Sequence, residues 1–238
     1  MLSPEGETQQ GSIRVPICST PLRLWGNVPS QQCRERLLPL CFNLYSSNDK
    51  EVEGNVLCML TQNGKEIKNF FLPANKDTIP EVLRTLPSGK YDIVAKAGGQ
   101  WSKVEGQWSE GDTASFKASF TIFSITDKRL LGKHDLWLYT PCDTISAEKP
   151  ARFQIGTTLP DAWIYCIING ENGIVRDTLL HLSDQAMLME VPYEESFQHH
   201  LAVSTMLMHE GEFEQKKLHL RFEQPETQLA MRWDTFRD

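Results

Sequence analysis

The stretch Phe116-Lys117-Ala118-Ser119-Phe120-Thr121-Ile122 sets an apolar side chain at every second position, with Lys117, Ser119 and Thr121 between them. Successive side chains point to opposite faces of a strand, so this period gathers Phe116, Ala118, Phe120 and Ile122 on one buried face. A helix would scatter the same four around its axis.

The period recurs in both directions. Upstream, Leu40, Phe42 and Leu44 alternate with Cys41, Asn43 and Tyr45, and Val56, Cys58 and Leu60 repeat the pattern. Asn63-Gly64 is the turn of a tight hairpin into the run ending at Phe70, Phe71 and Leu72. Thr78-Ile79-Pro80-Glu81 has capping-box spacing and predicts one helical turn. Leu86-Pro87-Ser88-Gly89 then turns the chain into a strand carrying Tyr91, Ile93, Ala95 and Ala97. Downstream, Trp137 and Tyr139 open a second series, continued by Ala151, Phe153 and Ile155. The unbroken apolar run from Trp163 to Ile168 predicts a central strand buried on both faces, with Trp163 and Tyr165 in the core. Strands are expected at Ile174 to Leu182, Met187 to Val191 and Leu201 to Met208, and Glu210-Gly211 turns into Leu218, Leu220 and Phe222, with His219 outward.

The chain is therefore all-β. Its 238 residues suit two domains. Ser124 to Lys133 is charged and without period, so the expected division is 1–126 and 127–238, with an exposed linker at the join and a disordered N-terminal decapeptide. Each half offers about seven short strands, the number of an immunoglobulin-like or fibronectin type III-like β-sandwich.

A net charge of −7 without any basic run argues against nucleic acid, and no apolar stretch approaches the length of a membrane span. No basic, apolar leader opens the chain. The cysteines are Cys18, Cys33, Cys41, Cys58, Cys142 and Cys166; none forms a C-x-x-C pair, and their spacing is compatible with intradomain disulfides or with buried free thiols. His199, His200 and His209 lack the carboxylate spacing of a zinc site, and there is no G-x-S-x-G elbow or phosphate-cradling glycine loop. No catalytic residue, cofactor or metal is expected. Trp101 and Trp108, in the polar stretch 98–111, are candidates for an exposed contact surface, against the alternative of a hairpin whose tryptophans fold back on the sandwich edge. Trp233 joins them, because Leu229, Met231 and Trp233 form an apolar face near the end of the chain.

Several segments carry a family likeness. Phe120 to Arg129, followed by Asp135 to Tyr139, resembles the junction between macroglobulin domains in alpha-2-macroglobulin-like proteins of Bacteroidetes. Leu86 to Tyr91, Ala147 to Ala151, Phe153 to Thr157 and the closing Arg232-Trp233-Asp234-Thr235-Phe236-Arg237-Asp238 are similar to the same family. The resemblance implies two consecutive macroglobulin sandwiches from a longer, periplasmic or extracellular chain of protease-trapping architecture. Its partners would be neighbouring macroglobulin domains and, through the whole protein, proteases. The family's Cys-Gly-Glu-Gln thioester motif is missing and no bait-like segment stands out, so the expected role is a non-catalytic scaffold. The alternative is a secreted β-sandwich adhesion or carbohydrate-binding module.

Overall fold

The structure is a computed structural model and describes residues 22–46, 48–98, 113–146, 148–194, 197 and 200–222. It is built almost wholly of antiparallel strands, arranged as two β-sandwiches. The first contains β1 (Arg23–Asn27), β2 (Gln31–Cys33), β3 (Cys41–Tyr45), β4 (Asn55–Gln62), β5 (Lys65–Pro73), β6 (Gly89–Gly98) and β7 (Thr113–Phe123). The second contains β8 (Trp137–Tyr139), β9 (Thr144–Ile145), β10 (Ala151–Thr157), β11 (Ala162–Gly170), β12 (Gly173–Leu182), β13 (Gln185–Val191), β14 (His200–His209) and β15 (Glu212–Phe222).

Each sandwich has one five-stranded sheet, ordered β5-β4-β6-β7-β2 in the first and β12-β11-β14-β15-β9 in the second. The two orders correspond strand for strand, and each ends on a parallel pair, β2 with β7 and β9 with β15. The facing sheets are β1-β3 and β13-β10-β8. Where the second sandwich has β13, the first makes the bridge Leu40–Thr78 and a bond from the Asn75 amide to the Phe42 carbonyl, followed by a 3-10 turn at Glu81–Thr85 that buries Leu83. The arrangement is immunoglobulin-like. The Tyr91 hydroxyl, near the start of β6, donates to the Pro87 carbonyl at 2.9 Å, the tyrosine corner found in such sandwiches.

The alternation that predicts the strands also fills the cores. Phe42, Leu44, Val56, Cys58, Leu60, Tyr91, Ile93, Phe120 and Ile122 form the first, and Phe153, Ile155, Ile164, Cys166, Ile168, Leu201, Val203 and Leu220 the second. The β4–β5 hairpin turns through Asn63 and Gly64, both at positive φ (51° and 76°), the conformation that Asn and Gly adopt most readily. Gly26 on β1 has a different reason. A Cβ there would come within 2.5 Å of the Phe116 ring, so glycine lets that ring lie over the strand.

Three expectations are corrected. Trp163 and Tyr165 are not core residues: β11 alternates strictly, with Ile164, Cys166 and Ile168 inside and the two aromatics outside. An apolar run can mean a strand buried on both faces or a strand with a bare apolar outer face, and here it is the second. The capping box does not form, since Pro80 is the N-cap and the Thr78 hydroxyl bonds instead to the Lys76 carbonyl. The stretch after β7 is not an open linker throughout, because Ser124 and Ile125 are buried. The described cysteines, Cys33, Cys41, Cys58, Cys142 and Cys166, are free thiols.

Candidate functional site

Two features stand out: a hydrogen-bonded junction between the sandwiches, and an exposed aromatic face on the second. At the junction, the Asp127 carboxylate accepts from the Ser124 amide (2.8 Å), the Ser88 hydroxyl (2.6 Å) and Arg34 (3.4 Å). Glu35 accepts from the Cys33 thiol (3.0 Å), the Ser124 hydroxyl and the Ile125 amide (3.3 Å). From the second sandwich, the buried Gln154 donates to the carbonyls of Ser124 (3.3 Å) and Asp127 (2.8 Å) while accepting from the Trp137 indole at 2.9 Å. Arg36 and Asp143 add a two-pronged ion pair at 2.5 and 2.6 Å, and Ala186 donates its amide to the Lys128 carbonyl at 2.8 Å. Cys33, Phe123, Ile125 and Trp137 form a small apolar cluster inside this net. The cavity left there, about 10 Å³, has room for one water.

The charges at the junction are therefore structural. Burial works to raise Glu35, but the donors from Cys33, Ser124 and Ile125 outweigh it and hold the carboxyl below its usual range. Burial first, and then the bond to Glu35, pushes the Cys33 thiol up to about 12. Burial likewise raises Cys58 to about 12 and Cys166 to about 11. Thiols in that range stay protonated at neutral pH and are poor nucleophiles.

The outer face of the sheet β12-β11-β14-β15 has another character. Cross-strand register sets Leu179, Tyr165, Met206 and Gln215 in one row and Asp177, Ile167, Ser204 and Lys217 in the next. Ile164 faces Leu207, so one step further along the strands Trp163 lies beside Met208, giving the row His181, Trp163, Met208, Phe213. Trp163 is 54% exposed, Leu179 58%, Met208 73%, Phe213 61% and Tyr165 36%. The rings are held in place. Trp163 stacks on His181 at 4.4 Å and 15°, and His181 is fixed by Asp161 at 2.6 Å. The Tyr165 hydroxyl donates to Asp177 at 2.8 Å, and that bond raises the pKa of the phenol.

The candidates the sequence offers for a contact surface, Trp101, Trp108 and Trp233, all lie outside the described residues. Trp163, Leu179, Met208 and Phe213 are not among them. The available signal was apolar residues in both phases of β11, read as double burial. Among the described residues no three His, Cys, Asp or Glu side chains gather as metal ligands, and no helix is long and apolar enough to cross a membrane.

No protein-family model matches the sequence, and no curated protein is similar to it. Among solved structures, the chain superposes on a tetra-tandem repeat from the extending region of a large adhesion protein with TM-score 0.30 and 13% identity, covering 86% of this chain and 50% of that one. A biofilm-associated protein's BSP domain gives TM-score 0.25 and 8% identity, with 86% and 30% covered. The chain thus spans half or less of either structure.

Proposed function

We propose that this chain is a non-catalytic segment of a periplasmic or extracellular multi-module protein and acts by contact, as an adhesion-type binding module. In this reading the second sandwich (127–238) presents the contact face and the first (1–126) holds it in position. The observation that carries the reading is the bare, pinned aromatic face of β12-β11-β14-β15. Soluble monomers rarely leave apolar patches larger than a few hundred Å² uncovered unless they are used. The junction supports it too, because a hydrogen-bonded connector transmits orientation where a flexible one would not.

The macroglobulin scaffold is the second reading. It rests on the resemblance of the segments around Phe120 to Tyr139, and the hydrogen-bonded connector in that stretch is compatible with it. The two readings differ in what the exposed face does: a scaffold module uses its faces against neighbouring modules, an adhesion module against other molecules. Beads coated with the chain, tested for retention on a glycan-printed surface and for clustering with one another, separate them. Retention or clustering that is lost in Trp163→Ala and Phe213→Ser is expected. Coated beads that behave like those carrying the double variant in both assays contradict the adhesion reading.

A further inference from the structure

We propose that the partner of the aromatic face is a second copy of this chain, packed sheet against sheet about a two-fold axis running between β11 and β14 and parallel to them. The proposal rests on the contact-face reading and deepens it by naming the occupant. A two-fold in that position lays each cross-strand row against its own reverse. The row Asp177, Ile167, Ser204, Lys217 then sets Asp177 of each copy against Lys217 of the other, and Ile167 against Ser204. The row Leu179, Tyr165, Met206, Gln215 sets Tyr165 against Met206. The row His181, Trp163, Met208, Phe213 sets Trp163 on Met208 and His181 on Phe213. Sulfur over an aromatic ring is a favourable contact, and here it would be made four times across the interface. An isologous interface needs a surface that is its own complement, and these rows meet that condition in charge at Asp177 and Lys217 and in the Tyr165–Met206 and Trp163–Met208 pairs, with Leu179 set against Gln215.

Size agrees. With each large side chain offering roughly 150–250 Å², the five exposed apolar residues leave on the order of 500 Å² uncovered. The rim groups Asp177, Lys217 and Gln215 bring the footprint toward the ~800 Å² that each partner contributes to a standard interface. The strands of the two copies would run in the same direction, within the aligned geometry of face-to-face sheets. Within one chain Asp177 accepts from the Tyr165 hydroxyl and stands on β12, three strand spacings or roughly 14 Å from Lys217 on β15, so the two charges pair only across the two-fold.

Sedimentation equilibrium of the full chain from about 1 to about 100 μM in physiological salt tests this. The mass is expected to rise from one chain to two. Met208→Glu, at an exposed position, should keep the wild-type melting temperature and weaken association about tenfold or more. Asp177→Lys and Lys217→Glu should each weaken it by about tenfold, because each homodimer then faces like charges twice. An equimolar mixture of those two variants should regain wild-type association, since both corners of the mixed dimer again pair opposite charges. A chain that stays monomeric overturns the second-copy proposal, and the glycan-surface arm of the bead assay then decides separately whether the contact-face reading survives. A dimer indifferent to Met208→Glu, or a mixture no better than its components, overturns the proposed geometry.

Discussion

Across the first five-stranded sheet, the outward rows read Phe71, Leu57, Lys96, Ser115 and then Asn69, Met59, Val94, Lys117. The next row holds Thr61, Asp92 and Ser119, with Ser119 donating to Asp92 at 2.6 Å. Aligned on the bulges that follow Leu60 and Ile168, the matching rows of the second sheet read Leu179, Tyr165, Met206, Gln215 and then Asp177, Ile167, Ser204, Lys217, with the row of Trp163, Met208 and Phe213 beyond them. Strand order and inner faces are alike in the two sandwiches while outer faces differ, which separates two demands on one sequence. The inner phase of each strand is fixed by burial, whereas the outer phase is free of the fold and records what the surface does. On the first face lysine reaches the inner strand β6 at Lys96 as well as β7 at Lys117, whereas on the second Lys217 stands on β15 and the inner strands β11 and β14 present Trp163, Tyr165, Ile167, Met206 and Met208, an apolar platform.

The largest effect should come from the inner phase, and it should be the same in both halves. Leu60→Ala and Ile168→Ala each remove a buried side chain from corresponding positions on β4 and β11, next to the matching bulges, and each should cost about 2–5 kcal/mol in denaturant unfolding. A near-neutral result in one half would break the correspondence. Next comes the device that holds the two faces in a fixed relation. Gln154→Leu removes the partner of the Trp137 indole and of the Asp127 carbonyl, and leaves the Ser124 carbonyl only the Asp127 amide, and should cost about 1–3 kcal/mol. The same variant should speed tryptic cutting after Lys128 and Arg129, and an unchanged rate would mean that the connector is held by other contacts.

A smaller effect concerns acid. Glu35 has a folded pKa below its unfolded value, so the stability it adds is complete above the unfolded pKa, near 4.3. That stability is lost as the pH falls through the lower folded value. Melting temperature against pH should therefore fall less steeply below about pH 4 in Glu35→Gln than in wild type. Identical slopes would remove Glu35 from the account. The smallest effect is expected on the outer faces: Trp163→Ser and Val94→Ser should each shift unfolding by within about 0.5 kcal/mol, because neither outer face is needed by its own fold. A large loss in Trp163→Ser alone would mean that the platform is structural.

What the sequence made legible was the alternation, and burial enforces alternation. The strands bearing Leu40 to Leu44, Val56 to Leu60, Tyr91 to Ala97, Phe116 to Ile122 and Leu218 to Phe222 follow directly from it, as do the turns at Asn63-Gly64 and Glu210-Gly211. The junction was legible only as a break in pattern. Asp127 and Glu35 lie 92 positions apart in the chain, and charge in an aperiodic stretch looks the same whether it meets water or a buried serine. The contact face was illegible for a related reason. Period 2 gives the phase of β11 but not which phase faces water when both are apolar, and Met208 and Phe213 become neighbours of Trp163 only once β14 is paired with β11.

Oxidative footprinting of the full chain at rising concentration tests the central claim most directly, because Met208, Trp163 and Phe213 report on one outer face while Met59 and Phe71 report on the other. The account predicts that oxidation of the first group slows as concentration rises, with the second group unchanged. Equal protection of Met59 and Phe71, or constant rates at Met208 and Trp163 across the whole range, would contradict it.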